Sequence, residues 1–249
     1  RNWLAAQHNL IAEKKYAATW LVDYDAIGEF SKELKTFESS QEIGLLLEIT
    51  PRLASELHLP YDWLVSRYEP QNVFLSGYSQ NQREKIIDLM FSRFFAQFGY
   101  FPKSVGAWFV DSWSLAYMKN KYQIETALIV AEQYKTDNHT VRGHPWQTAY
   151  FPRDKNVLMP ASDLLHKQDL VVIQWAVREP LKGWGEGLDY SNFSVQANDY
   201  TKHGLGEEYF TKLARGYLFN SFSDFNQLTI GIEVGQEGAE YFEEFREQI

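Results

Sequence analysis

The stretch ATWLVDYD, residues 18–25, runs through apolar residues and stops at an acidic one, Asp23. The same pattern returns in IGLLLE (43–48), VGAWFVD (105–111), ALIVAE (127–132) and LTIGIE (228–233). A carboxylate is costly to desolvate inside a core, so its repeated position after an apolar run predicts that several buried strands end at one polar mouth.

Six short apolar runs, each bounded by polar or turn residues, predict strands that are buried on both faces of a parallel sheet. They cover residues 17–23, 43–48, 104–110, 125–132, 170–176 and 228–233. Helical patterns occupy 2–15, 79–98, 112–122, 207–218 and 239–248, whereas 137–159 and 180–200 have the composition of long loops. This alternation predicts an α/β fold, and a (β/α) barrel explains the carboxylate mouth better than an open sheet does.

The length of 249 residues and the 45% hydrophobic composition suit one large core, so we expect a single domain over residues 1–249. Both ends fall inside helical patterns, although domain ends usually lie in linkers. We therefore expect a fragment of a longer protein, or a barrel whose first strand lies upstream.

Charge and composition exclude several classes of function. The net charge is -9, from 33 acidic and 24 basic residues, which argues against nucleic acid or an acidic membrane surface as partner. The apolar stretches are shorter than the ~18 residues that a membrane span needs. The absence of cysteine excludes disulfides, thiolate catalysis and cysteine-ligated metals. Localisation stays open, with an extracytoplasmic one slightly favoured, and so does the oligomeric state.

A family resemblance lies in residues 77–136, where a long helix ends in FGYFP (98–102) and the strand SVGAWFV and the helix LAYMKNKY (115–122) follow. This order resembles the middle of polysaccharide-deacetylase-like domains. QEIGLLLEIT (41–50) is similar to the strand that carries HEIGxH in that family, and KKYAATWLVDYDAI (14–27) to the preceding ATFFL strand. The resemblance covers residues 16–177 in strand order and implies a (β/α)7-like barrel.

The metal-binding motif of those deacetylases is missing. Leu47 or Glu48 stands at the first histidine position and Pro51 with Arg52 at the second, and GAWFVDSW replaces the RxPY motif. Related barrels of glycoside hydrolase families 57 and 38 share the strand order, and family 57 uses two strand-end carboxylates. The resemblance therefore implies glycosidic bond hydrolysis with no metal or other cofactor.

The predicted catalytic residues are Asp111 and Glu233, with Glu132 as the substitute for either. A retaining glycosidase needs carboxyl groups about 5 to 5.5 Å apart and an inverting one about 6.5 to 9.5 Å. Trp108 and Trp113 flank Asp111, an apolar setting that would raise the pKa of a carboxyl toward that of a general acid. The alternatives are structural: Asp111 as a helix N-cap, and Glu132 in a salt bridge.

Further residues at the predicted strand ends suit an oligo- or polysaccharide ligand. They are Asp23, Glu48, Trp108, Trp113, Gln174, Trp175 and Arg178. The tryptophans would stack on sugar rings and Gln174 would bind a hydroxyl, while Arg178 would pair with an acid. Asp25 shares a face with Asp23 and is equally suited to cap the next helix.

Three functions are compatible with this pattern. The first is a carbohydrate-active hydrolase using Asp111 and Glu233, and the second is a noncatalytic glycan-binding or structural module derived from the deacetylase barrel. The third is a deacetylase with an atypical metal site at Asp137, His139 and His144, the only local cluster of such residues.

Overall fold

A five-stranded parallel sheet lies at the centre of the structure, a computed structural model that describes residues 3–61, 70–130, 133–136, 139–141, 148–175, 179, 193–220, 225–232, 234 and 239–249. Its strands are β1 (Ala18–Val22), β2 (Gln41–Leu46), β3 (Ser104–Ala107), β4 (Thr126–Val130) and β9 (Val171–Trp175). They lie side by side in chain order, and every neighbouring pair is parallel. The predicted α/β fold is therefore confirmed.

Helices connect the first four strands of the sheet, and further helices precede β1 and follow β9. They are α1 (Trp3–Lys14), α2 (Tyr24–Leu34), α3 (Pro51–Glu56), α4 (Pro70–Val73), α5 (Gln80–Phe98), α6 (Ser112–Tyr122), α7 (Ala197–Tyr200), α8 (Glu207–Leu218) and α9 (Ala239–Gln248), with 3-10 turns at Leu75–Gly77 and Thr201–His203. All five predicted helices are present. Within the described ranges, no helix combines the length and the apolar character needed to cross a bilayer.

The longest helix, α5, has clear start and stop signals in the sequence. The Ser79 backbone N–H donates to Gln82 Oε1 at 2.9 Å, which satisfies a donor at the first turn. Gly99 follows the last turn with a φ of 81°, a left-handed conformation that favours glycine. Between these ends, apolar residues form a stripe along one face of the helix, and its members Ile86, Ile87 and Phe94 are fully buried in the core.

Alternate residues of the strands point to two different faces of the sheet. One face is carried by the register row Val22, Leu45, Val105, Ala127 and Val172, and all five side chains are buried. This row belongs to the main hydrophobic core.

The other face, which we call the glycine face, contains Leu21, Gly44 and Gly106. A Cβ added to Gly44 would lie 2.8 Å from Leu21 Cδ2, and one added to Gly106 would lie 2.3 Å from Leu21 Cδ1. The Leu21 side chain therefore lies over both glycines. Larger residues at either position would clash with it.

A chain of polar side chains joins four strands at the amino-terminal end of the glycine face. Thr19 Oγ1 and Ser104 Oγ donate to the two oxygens of Glu42 at 3.0 and 2.7 Å, and Ser104 Oγ lies 2.6 Å from Thr126 Oγ1. These contacts link β1 to β4. Polar atoms on this side of the sheet thus have partners at the end opposite to the predicted mouth.

The predicted loop at 137–159 is partly wrong, because it contains strand residues. β5 (Gln133–Thr136) pairs antiparallel with β6 (His139–Val141), and β7 (Pro152–Arg153) pairs antiparallel with β8 (Asn156–Pro160). Such hairpin strands are short and rich in polar residues, so they lack the continuous apolar run that marks a buried strand. The second predicted loop, 180–200, likewise ends in α7.

The outer edge of β9 is covered in part by the segment that precedes the β7–β8 hairpin. Tyr150 N–H donates to the Val172 carbonyl at 3.1 Å, and Val172 N–H donates to the Tyr150 carbonyl at 2.7 Å. This is an isolated antiparallel bridge. Val172 therefore has both backbone groups bonded on the side of β9 that faces away from β4.

The predicted sixth strand, 228–233, is not a strand over residues 228–232, and Glu233 lies outside the described residues. Ile230 and Ile232 nevertheless pack against the main core. Two contacts account for the missing pairing with β9: Tyr150 takes the edge bonds of Val172, and the Trp175 ring packs against Gly231. The apolar run at 228–232 thus indicates a partly buried segment, not a strand.

Candidate functional site

The carboxyl ends of the five parallel strands meet at one edge of the sheet. Five of the residues that were predicted from the sequence lie at or just beyond this edge: Asp23, Glu48, Trp108, Asp111 and Trp175. Glu132, Arg178 and Glu233 lie outside the described residues. In parallel α/β structures this edge is the usual position of a ligand site.

The strand register divides these residues between the two faces. Leu47 N–H donates to the Gly106 carbonyl at 2.7 Å, so the pairing of β2 with β3 continues past Leu46. Extending the alternation of the strands by two residues places four of the predicted residues on the glycine face: Asp23, Glu48, Trp108 and Trp175. Gln174 lies on the opposite face and is 7% exposed, which removes it from the mouth.

Asp23 is a half-buried acid that also begins a helix. Its Oδ1 accepts a hydrogen bond from Ala26 N–H at 2.7 Å, which makes it the N-cap of α2. Burial raises the pKa of Asp23 despite this bond, and the charge of Asp25 raises it further. Asp25 lies in the first turn of α2 instead, with its Oδ1 4.0 Å from Arg52 Nε.

Asp111 is the N-cap of α6 and has a cationic partner. Its Oδ1 accepts from Ser114 N–H at 3.0 Å and its Oδ2 from Ser114 Oγ at 2.6 Å. Arg83 Nη1 lies 2.6 Å from Oδ1, in an ion pair whose side chains are largely shielded from solvent. From the sequence, Trp108 and Trp113 were expected to give Asp111 an apolar setting. This expectation is wrong, because α5 places the charged Arg83 beside the carboxyl.

Trp113 belongs to a stack of side chains along α6. Its ring lies 5.2 Å from that of Tyr117 with an interplanar angle of 20°, and the Arg83 guanidinium carbon is 5.3 Å from the Trp113 ring centroid. Part of the ring surface is thus already in contact with protein. Sequence reasoning missed Arg83, since nothing in its helical pattern relates it to Asp111, 28 positions further along.

Trp175 is held from two sides at the end of β9. Its Nε1 donates to Gln196 Oε1 at 3.0 Å, and a Cβ on Gly231 would lie 2.1 Å from its Cη2. Gln196 is buried, and its own N–H donates to Ser194 Oγ at 3.0 Å. The sequence gives no local signal for Gln196, because the contact bridges 21 residues.

Another acid missed from the sequence follows the same strand. Glu179 N–H donates to the Phe193 carbonyl at 2.9 Å. Its Oε2 is buried, and no donor in the described part of the chain bonds to it. A buried carboxylate oxygen in that position is available for a ligand or for a residue outside the described ranges.

The possible metal site is only partly described. Asp137 and His144 fall outside the described residues, and His139 lies in β6 without a described side chain. Across the ranges that the structure covers, no group of three or more histidine, cysteine, aspartate or glutamate side chains is arranged to hold a metal ion.

Comparisons with known proteins give a family and a distant structural neighbour. No curated protein matches the chain. A solved structure from Parabacteroides distasonis, described as a candidate glycoside hydrolase/deacetylase, is similar at a TM-score of 0.44 and 14% sequence identity, over 72% of this chain and 38% of that one. A likeness this loose transfers no function. The model of the family described as "Domain of Unknown Function with solved-structure structure (DUF3863)" matches residues 66–200, more than half of the sequence, and the chain therefore belongs to that family.

Proposed function

We propose that the chain forms a (β/α)7-like barrel and acts as a carbohydrate-active hydrolase that cleaves glycosidic bonds at the carboxyl edge of its strands. One observation carries the proposal. The register brings Asp23, Glu48, Trp108 and Trp175 to one face of this edge, with the two acids after the neighbouring strands β1 and β2 and the two wide aromatic rings after β3 and at the end of β9. A glycan needs both kinds of residue, acids for its hydroxyl groups and rings for its C–H faces.

The barrel part of the proposal is supported by strand order. A doubly wound sheet reverses direction at a switch point, whereas the five strands here follow chain order throughout. The partly buried segment at residues 228–232 packs against the main core and contacts the ring of Trp175, the last residue of β9. Further strands would complete the ring.

The chemistry assigns different roles to the acids. Glycoside hydrolysis needs one carboxyl group that keeps its proton and a second that is ionised. Burial gives Asp23 the raised pKa of a proton donor. Asp111 and Glu233 are the proposed partner carboxylates, with Glu132 in reserve, and Arg178 is proposed to neutralise one of these acids. Glu48 is proposed to bind sugar hydroxyls.

Amide variants test this proposal because asparagine caps helices as well as aspartate does. We expect Asp23→Asn, Asp111→Asn and Glu233→Gln to fold normally and to lower kcat on a glycoside panel about a hundredfold or more, since general acid–base catalysis contributes that much. Asp169→Asn is the control, because its side chain is 77% exposed at the opposite end of β9. Normal turnover by all three amide variants would contradict the proposal.

A specific observation favours a second function, the noncatalytic glycan-binding module. Both described candidate acids already serve as helix N-caps, and Asp111 is also ion-paired with Arg83. Acids fixed in this way can position a sugar without cleaving it. The module predicts that the wild type binds glycans without turnover and that Asp111→Asn weakens this binding, whereas the hydrolase predicts turnover by the wild type.

A further inference from the structure

We infer that Trp175 is a rigid stacking platform for one pyranose ring, and that Gln196 and Gly231 are the positioning residues that fix it. The inference rests on the proposed carbohydrate site and adds a substrate class to it. Trp175 is the last residue of β9 and belongs to the glycine face, together with Asp23 and Glu48. Its side chain is only partly buried, so part of the ring stays open to a ligand.

The polar end of the ring is fixed by Gln196. The Nε1–H of Trp175 has one donor direction, and Gln196 Oε1 takes it at 3.0 Å. Gln196 is itself buried and bonded to Ser194 through its backbone, so it does not move freely. A hydrogen bond of this kind sets the rotation of the indole about its side-chain bonds.

The apolar end of the ring is fixed by Gly231. A Cβ at this position would lie 2.1, 2.6 and 2.6 Å from Cη2, Cζ2 and Cζ3, which are three atoms of the six-membered ring. Only glycine allows this approach. The contact differs from that of Gly216 in α8, where an added Cβ meets nothing within 4 Å.

The shape of the sugar and the charge around Trp175 together determine which sugar fits. Pyranoses with equatorial hydroxyls, such as glucose and N-acetylglucosamine, present axial C–H groups to a flat ring, whereas axial hydroxyls obstruct that face. Glu48 lies on the same face as Trp175, and the chain carries a net charge of -9, so anionic sugars are repelled. The occupant is therefore a neutral oligosaccharide of gluco configuration.

The first arm of the test measures, without any ligand, how firmly Gln196 and Gly231 fix the Trp175 ring. In a spectrum of indole N–H resonances, Trp175→Phe identifies the Trp175 signal by its loss. We expect hydrogen exchange of this proton to accelerate at least about tenfold in Gln196→Ala and Gly231→Ala, and to be unchanged in Gly216→Ala. If exchange is unchanged in both Gln196→Ala and Gly231→Ala, these two residues do not position Trp175, whatever the protein binds.

The second arm measures binding of cellohexaose and chitohexaose by calorimetry, with polygalacturonate as the anionic control. We expect Trp175→Ala to weaken binding about tenfold, since stacking of aromatic rings contributes on the order of 1 kcal/mol. Gly231→Ala should lose part of this affinity, while Gly216→Ala keeps it. Glycan binding that is equal in Trp175→Ala and the wild type would overturn the platform and leave the proposed function standing. A wild type with protected exchange that binds none of the glycans would overturn the proposed function and the substrate class.

Discussion

Asp23 both caps a helix and carries an ionisable group, and a residue with a purely structural role needs only the first of these properties. It caps α2 through Ala26 N–H, a role that asparagine fills equally well, yet it is a half-buried acid whose pKa is raised by burial. Burying an ionisable group where an amide would suffice destabilises a protein, and a role of the carboxyl proton in function would account for keeping the acid. Asp23 is therefore the described residue whose chemistry goes furthest beyond its role in folding.

The first prediction concerns the pH dependence of stability at Asp23. Its pKa is raised above the unfolded value of 3.8, so the folded state binds the proton more tightly. The resulting stabilisation is complete below the unfolded pKa and is lost as the pH rises through the folded pKa. Urea unfolding should therefore show Asp23→Asn to be more stable than the wild type at about pH 7, with a smaller difference at about pH 4.

Asp169 provides a control of opposite sign. Hydrogen bonding from Lys167 lowers the pKa of this exposed carboxyl, so Asp169→Asn should lose a little stability at neutral pH. If Asp23→Asn instead has the same stability relative to the wild type at both pH values, burial of the Asp23 carboxyl has no energetic consequence and its proposed role as proton donor loses its basis.

Single residues of the candidate site could be predicted from the sequence where they lie at the end of a strand. Asp23, Glu48 and Trp175 were found this way, because each directly follows or ends an apolar run. Arg83 and Gln196 could not be found, since each acts on a residue more than 20 positions away and contact across the fold leaves no local pattern. Gln174 was assigned to the mouth, although strand alternation turns it to the buried face.

The packing of α5 against α6 depends on Asp88. Lys121 Nζ, Tyr122 Oη and Tyr117 Oη all donate to its carboxyl, at 2.8, 2.5 and 2.8 Å. Burial alone would raise the pKa of Asp88, but these hydrogen bonds outweigh it and lower the pKa. The two helices are thus joined by a polar cluster beside the stacked rings of Phe91 and Tyr122.

We predict that Asp88→Ala destabilises the protein by about 1 to 3 kcal/mol, because the buried Tyr122 hydroxyl loses its acceptor. Since the pKa of Asp88 is lowered, the wild type should lose this advantage as the pH falls through the folded pKa. Chemical unfolding at several pH values measures both effects.

Glu125→Ala is the matched control, because its ion pair with Lys103 is exposed to solvent and such pairs contribute little to stability. Equal stability of Asp88→Ala and Glu125→Ala would show that the α5–α6 cluster does not hold the helices together.

Elements were predictable where one pattern covers the whole segment. The apolar stripe, capping residues and final Gly99 all define α5, and the continuous apolar runs define β1 to β4 and β9. The hairpins β5–β6 and β7–β8 were not predicted from the sequence, because short strands with turn residues between them have the composition of loops. Residues 228–232 were assigned as a strand because burial alone produces the same apolar run.

The strand order and net charge describe the protein as a whole. Five parallel strands in chain order were predictable, since each apolar run is separated from the next by a helix or a long insertion. Closure into a barrel remains a proposal, because it depends on residues that pair with the outer edges of β1 and β9. No local pattern specifies those contacts.

The net charge of -9 gives a prediction for the entire surface. A protein that binds polyanions neutralises phosphates with a basic patch, and its affinity falls steeply with salt. We expect this chain to pass through a heparin column at about 0.15 M salt, where charges beyond about 8 Å are screened. Retention that decreases with added salt would reveal a basic surface and contradict the predicted absence of a nucleic-acid partner.

The bridge between Tyr150 and Val172 affects how copies of the chain meet one another. An uncovered border strand offers unpaired amide and carbonyl groups, on which a second molecule can add a strand and begin a fibre. The chain's own backbone fills those positions at Val172. At Val172, a second molecule therefore finds no free backbone group of β9 on which to add a strand.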